Sequence, residues 1–175
     1  PLGMTGHTAY IGLFNYGNLK AGQSVLVSSA GGSVGSTVCQ IAKNLGCKVF
    51  ASTGSDEKVE WLKKELKVDH AFNYNKVENL VLLFKEICPE GFDLYFDNVG
   101  GDFLESAIFR MKNFGRIVIC GRISQMNVTK TPSGLKNMAH VLVKRLTIKG
   151  FLIFDHENDI EPFESDMKDW LIKNK

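Results

Sequence analysis

The sequence predicts an α/β fold, a doubly wound parallel sheet of six strands, and three observations carry that expectation. Short β-branched apolar runs alternate with helical patterns along the 175 residues. Glycine follows the first, fourth and fifth of those runs, at the strand ends where such sheets bind ligands. The first glycine turn joins strand directly to helix in the run Gln23 to Gly35, QSVLVSSAGGSVG. The rest of the chain is organised around that run.

The opening residues have helical spacing around Tyr10, Ile11, Leu13 and Phe14, and Gly17-Asn18 marks the stop. Ser24 to Ser29 has the composition of a buried parallel strand. It runs into Ala30-Gly31-Gly32-Ser33-Val34-Gly35, and a helix follows with Val34, Val38, Ile41, Ala42 and Leu45 on one face. Lys48 to Ser52 reads as the second strand. Ser55 caps the next helix, with Asp56 and Glu57 in its first turn and Val59, Leu62 and Leu66 on its apolar side. Ala71 to Tyr74 is a short third strand, and Val77 to Cys88 a helix carrying Leu80, Leu83, Phe84 and Ile87. Phe92 to Asp97 is the fourth strand, followed by the turn Asn98-Val99-Gly100-Gly101 and a helix with Phe103, Ala107 and Ile108. Gly115 opens a fifth strand, Arg116 to Cys120, and Met126 to Gly134 is a polar loop. A helix to about Arg145 leads to a sixth strand, Leu146 to Phe154. Phe163, Met167, Trp170 and Leu171 line a last helix, inside which the chain stops. The alternation predicts the strand order 3-2-1-4-5-6.

Composition narrows the function classes. Hydrophobic content of 44% with 23% charged residues is that of an ordinary soluble domain. A net charge of +2 argues against a nucleic-acid surface. No apolar run approaches the roughly 18 residues of a membrane span, and no signal peptide is visible. Cys39, Cys47, Cys88 and Cys120 form no C-x-x-C pair, which suits a reducing, cytoplasmic compartment rather than a disulfide framework. His7, His70, His140 and His156 are equally scattered, so no metal site is expected.

The glycine turn carries the chemistry. A pyrophosphate must come close to backbone N–H groups at a helix N-terminus, so side chains must be absent there. Gly31, Gly32, Ser33 and Val34 form that cradle, and Gly35, one turn in, lets the helix lie close on the strand. The plain alternative is a tight strand-to-helix turn with no ligand. The end of the second strand, about 20 residues further on, selects the dinucleotide. An NAD site places Asp or Glu there; this chain has Ser52, Thr53, Gly54 and Ser55, with Lys58 one helical turn on. Hydroxyls, a helix N-terminus and a lysine attract a 2′-phosphate, so the reading is NADP(H). Asp56 and Glu57 read as first-turn acids facing solvent. The ordinary reading of Lys58 is a solvated helix lysine, and that of Tyr74 an aromatic covering the sheet edge. The missing acid also sets aside an S-adenosylmethionine methyltransferase, which has its own glycine turn after strand one.

Six segments add a resemblance. Gly6-His7-Thr8-Ala9-Tyr10, Ser29 to Gly35, Gly54-Ser55-Asp56-Glu57-Lys58, Phe72-Asn73-Tyr74, Phe96 to Gly101 and Cys120-Gly121-Arg122-Ile123-Ser124-Gln125 resemble zinc-independent medium-chain dehydrogenase/reductases. The nearest branch is the prostaglandin reductase and plant double-bond reductase group. The likeness runs in order to about Asp155. It implies a Rossmann domain in which residues 1–20 lead in from a preceding domain and residues 21–175 bind NADP, cut short at the C-terminus. It further implies NADPH-dependent reduction of the carbon–carbon double bond of α,β-unsaturated ketones and aldehydes. Position by position, Gly31 to Gly35 would hold the pyrophosphate, Ser55 and Lys58 the 2′-phosphate, and Tyr74 and Asn98 the adenosine and ribose parts. Cys120, Gly121, Ile123, Ser124 and Met126, with Phe151, Leu152 and Ile153, would line the nicotinamide end.

The family usually carries Tyr where this chain has Met126, and a thioether cannot donate a hydrogen bond. Proton delivery then falls to another group or to water, or the activity differs. The barrel-like domain that forms most of the family's substrate pocket is absent from this chain, so the chain is expected to be inactive alone. A quinone oxidoreductase of the same superfamily and a non-catalytic NADPH-binding module stay open beside the enone reductase. The last strand is expected to be a dimer edge. Asn127-Val128-Thr129 matches a glycosylation acceptor that has no meaning in a cytosolic protein.

Overall fold

The computed structural model describes residues 2–125, 134–156 and 158–173. Six parallel strands form one sheet in the order β3-β2-β1-β4-β5-β6, the expected topology. They are β1 (Ser24–Val27), β2 (Lys48–Thr53), β3 (His70–Asn73), β4 (Phe92–Asp97), β5 (Met111–Ile119) and β6 (Thr147–Gly150). The helices are α1 (Met4–Ile11), α2 (Ser33–Asn44), α3 (Asp56–Lys64), α4 (Leu80–Ile87), α5 (Gly101–Arg110), α6 (Met138–Lys144) and α7 (Ile160–Ile172).

Strand side chains alternate between two cores, which is why every residue of β1 is apolar or small and buried. Val25 and Val27 join Ala9, Ile11, Val38, Ile41, Val59 and Phe163 on one face. Leu26 joins Phe84, Tyr95, Phe103 and Ile108 on the other. The opening helix is therefore part of the sheet's own core. α1 runs on into a π-turn over Gly12–Tyr16, closed by the Gly17 N–H on the Gly12 carbonyl at 2.8 Å.

Several boundaries move from their expected places, each for a local reason. α4 begins at Leu80, not Val77, because the Asn79 side chain accepts the Leu82 N–H at 3.1 Å and caps the helix there. β5 begins at Met111, not Arg116. Its register against β4 shifts between Phe92 and Leu94, and Phe114 takes φ +61°. Gly115 thus sits inside the strand instead of opening it. β3 stops at Asn73, and Tyr74 begins a 3-10 turn. β6 ends at Gly150, four residues short of the expected Phe154, and Ile153–His156 is a 3-10 turn. The polar loop lies outside the described residues up to Gly134, and with it Met126 and the Asn127-Val128-Thr129 triplet.

Candidate functional site

The carboxyl edge of the sheet gathers the turns after β1, β2, β4, β5 and β6. After β1 the chain reverses through Ser29 at φ +52°. The Ala30 N–H donates to the Ser52 carbonyl at 2.8 Å and the Gly32 N–H to the Ser29 carbonyl at 3.0 Å. Gly32 starts α2 with no side-chain cap, so the amides of the first turn are left for another acceptor. A Cβ on Gly35 would stand 2.4 Å from the Ser29 oxygen and 2.7 Å from the Ala30 Cα. The helix packs directly on the turn, as the glycine spacing implies.

The end of β2 comes to the same place. A Cβ on Gly31 would lie 2.8 Å from both the Lys58 Cδ and the Thr53 Oγ1, so the lysine stem crosses the mouth of the glycine turn. Lys58 is exposed and in no ion pair among the described residues. Its N–H is capped by the Ser55 hydroxyl oxygen at 3.4 Å. Asp56, the acid that complicates this reading, is turned aside. Its carboxylate accepts from Lys76 Nζ at 2.5 Å and from Asn73 Nδ2 at 2.9 Å, and Lys76 holds its pKa below the usual value. Tyr74 is half exposed, with its hydroxyl over Gly54.

The turn after β4 is built on a buried polar network that the motif reading missed. Asp97 Oδ1 accepts from the Tyr95 hydroxyl at 2.6 Å and from the Val99 and Gly100 N–H groups at 2.9 and 2.8 Å. Ser28 joins it: its hydroxyl oxygen accepts from the Asn98 N–H and lies 3.0 Å from the Tyr95 oxygen, to which it donates, since the single Tyr95 hydrogen goes to Asp97. The Asn98 side chain donates to the Ser28 carbonyl at 2.8 Å, tying the two central turns together. Burial raises the Asp97 pKa, against the opposing pull of the Tyr95 hydroxyl and the two amides. Tyr95 is pushed far above its ordinary value by burial and the neighbouring carboxylate. Tyr95 and Asp97 stand at i and i+2 in β4, but nothing local in the sequence pairs them with Ser28, 67 residues from Tyr95.

Beyond the ends of β5 and β6 lies a cavity of about 470 Å³, whose walls include Cys120, Gly121, Arg122, Phe151 and Leu152. The Cys120 and Gly121 N–H groups both donate to the Asp97 carbonyl, at 2.8 and 3.0 Å. Burial and Asp97 push the Cys120 thiol up to about 11, so it is a neutral wall and not a nucleophile. Four of the residues expected at the nicotinamide end thus come together. Three do not line this cavity. Ile123 and Ser124 are exposed on a 3-10 turn, anchored by N–H bonds to the Asn98 and Val99 carbonyls. Ile153 faces a separate cavity of about 290 Å³ with His7, Met4 and Phe163. The strand has ended at Gly150, and Ile153 opens a 3-10 turn. Among the described residues no three His, Cys, Asp or Glu side chains converge as metal ligands.

Comparison with known proteins fits this architecture. The chain is 46% identical over 175 residues to prostaglandin reductase 1 of Bos taurus, covering 99% of this chain and 53% of that protein. It is 46% identical over 155 residues to the NADP(+)-dependent 2-alkenal reductase of Nicotiana tabacum, covering 89% of this chain and 45% of that protein. The crystal structure of CurA in complex with NADPH from Vibrio vulnificus superposes with a TM-score of 0.91 at 37% identity, covering 99% of this chain and 52% of that one. The chain spans about half the length of these relatives. The bovine likeness continues through α7, past the Asp155 limit read from motifs, because Phe163 and Met167 pack that helix on the common core. The family model described as zinc-binding dehydrogenase matches residues 33–169, and the chain belongs to that family.

Proposed function

We propose that this chain is the NADPH-binding part of a reductase acting on the carbon–carbon double bond of α,β-unsaturated ketones and aldehydes. The observation that carries the reading is the Lys58 stem lying across Gly31, with Asp56 tied to Lys76. The lysine stem then passes beside the glycine turn at the uncapped start of α2, within reach of a 2′-phosphate on a dinucleotide whose pyrophosphate meets that turn. The names of the bovine and tobacco relatives and the NADPH complex of CurA support it.

The residues present fit the cofactor: a Cβ at Gly31 would crowd the mouth of the glycine turn, and the bare Gly35 lets α2 sit directly on that turn. Gly31, Gly32, Ser33, Val34 and Gly35 would take the pyrophosphate, and Ser55 and Lys58 the 2′-phosphate. Tyr74 would cover the adenosine and Asn98 would meet the ribose. Cys120, Gly121, Phe151 and Leu152 would enclose the nicotinamide, with Ile123, Ser124, Met126 and Ile153 flanking it. The cofactor supplies hydride to the β-carbon, and the α-carbon takes a proton. With Met126 in the family's tyrosine position, water or another side chain delivers that proton.

Among the described residues β6 pairs on one side only, with β5, and Leu142, Val143, Leu152 and Phe154, from the elements flanking it in the chain, stand exposed. A second copy meeting this edge would give a homodimer. The four free cysteines fit a cytoplasmic location.

Calorimetric titration with NADPH and NADH tests the reading. Micromolar NADPH binding, weaker by about tenfold or more for NADH, is the expected result. Equal affinity for the two would refute the 2′-phosphate assignment, and binding of neither would refute the cofactor site. Enone turnover by the full-length protein, beside its Met126→Tyr variant, then separates a reductase from a binding module.

A further inference from the structure

The cavity beyond β5 and β6 owes one wall to Phe151, and that ring is held from behind. Tyr16, the last residue of the π-turn, stacks on Phe151 with ring centroids 4.9 Å apart and planes 25° from parallel. The tip of the Phe151 ring also approaches Gly12 of the same turn, where a Cβ would come within 3.1 Å of its Cζ. The Tyr16 hydroxyl lies 2.9 Å from His156 Nε2, and His156 Nδ1 lies 2.7 Å from Asp159 Oδ2. A carboxylate can only accept, so Nδ1 carries a ring hydrogen, and in the neutral ring Nε2 accepts from the tyrosine O–H. Donors and acceptors alternate correctly along all three groups.

This chain joins parts of the sequence 140 residues apart. Tyr16 comes from the π-turn after α1, His156 from the 3-10 turn after β6, and Asp159 from the start of α7. Between Gly150 and His156 the backbone has left the sheet, so the ladder no longer fixes where Phe151 and Leu152 stand. His156 is only 13% exposed at its side chain, which shelters the bond to Tyr16 from competing water. Asp159 makes no side-chain cap to α7, so its recorded side-chain partner is the imidazole.

We propose that Tyr16, His156 and Asp159 are positioning residues that set Phe151 as the wall of the nicotinamide seat. The inference rests on the reading of that cavity under the proposed function. A nicotinamide ring needs a flat wall at a fixed distance if its reactive carbon is to face a substrate, and an aromatic ring stacked on a second, anchored ring supplies one.

The test compares two ligands. NADPH reaches both ends of the site, while adenosine 2′,5′-bisphosphate carries the 2′-phosphate and adenine end and no nicotinamide. Tyr16→Phe keeps the stacked ring and removes the hydroxyl; Asp159→Ala removes the far anchor without removing a helix cap. Each is expected to raise the NADPH Kd by about 3- to 10-fold and to leave the bisphosphate Kd within about twofold. Asp159→Asn, whose amide oxygen still accepts from Nδ1–H, is expected to bind NADPH like the unmodified protein. Unchanged NADPH affinity in both variants would overturn the proposal. So would an equal loss for both ligands, which would mark a purely structural role. If the unmodified protein binds neither ligand, the cofactor reading itself has failed and the positioning role falls with it.

Discussion

Gly35→Ala sets helix propensity against packing, and the two give opposite signs. Alanine near the start of α2 would by propensity alone stabilise the helix by up to about 1 kcal/mol. The structure leaves no room for it. The added Cβ would stand 2.4 Å from the Ser29 carbonyl oxygen, 2.7 Å from the Ala30 Cα and 3.0 Å from the Ser29 carbonyl carbon. These are backbone atoms, pinned by the Ala30–Ser52 and Gly32–Ser29 hydrogen bonds. Ordinary contact begins near 3.4 Å, so α2 must give way by about 1 Å. That helix carries Val38, Ile41 and Ala42 in the core, and loosening them falls on the overpacking scale of about 1–3 kcal/mol. Set against the full propensity gain, the net loss is up to about 2 kcal/mol. For a domain of this size the melting temperature should fall by up to about 8 °C. Far-UV circular dichroism melts, with urea midpoints beside them, measure it. A melting temperature above that of the unmodified protein would refute the close approach of helix to turn.

Three further outcomes are expected. Lys58→Ala should weaken NADPH by roughly tenfold and leave NADH nearly unchanged, with the gap closing as salt rises; an equal loss for both cofactors would remove the 2′-phosphate role. Burial pushes the Asp93 carboxyl up, but the Lys112 ammonium and the Ser24 N–H and O–H more than offset it, so its pKa lies below the usual value. The stability it contributes is present above the unfolded carboxylate's value near pH 4 and is lost as pH falls through the lower folded value. Asp93→Asn should therefore be less stable at neutral pH and should flatten the acid limb of the urea midpoint; parallel curves would contradict this. Ser28→Ala strips partners from Tyr95, Asn98 and Asp97 and should cost about 1–3 kcal/mol. Combined with Tyr95→Phe the losses should be less than additive, and strict additivity would show that the two hydroxyls do not share a network.

Much of the fold was legible because its signals are local. The β-branched run before Ala30, the Ser55 cap and the 3.6-residue spacing of α2 and α7 each report on neighbours a few residues away. Boundaries failed where a side chain or a register shift overrode that pattern. Asn79 stops the backward extension of α4, and the bulge opposite Phe92 to Leu94 lets β5 run through Gly115. In the candidate site, Gly31, Gly35 and Lys58 were readable as a motif. The Ser28–Tyr95–Asp97 network and the Tyr16–His156 bond were not, since their partners lie 67 and 140 residues apart. Ile153 lines a different cavity from Phe151 and Leu152, and the sequence pattern could not show it because strand alternation stops setting the side-chain direction where β6 ends at Gly150.

The sequence by itself determined the parallel six-stranded order, the glycine turn after β1 and the absence of an acid at the end of β2. Each depends on residue type at short spacing, and steric and helix-terminal effects act at that range. Only the tertiary structure decided that Lys58 crosses Gly31 while Asp56 is drawn to Lys76, and that Phe151 is braced by Tyr16. Those arrangements are set by how separate strands and helices pack, and packing brings together groups whose separation along the chain says nothing of their separation in space.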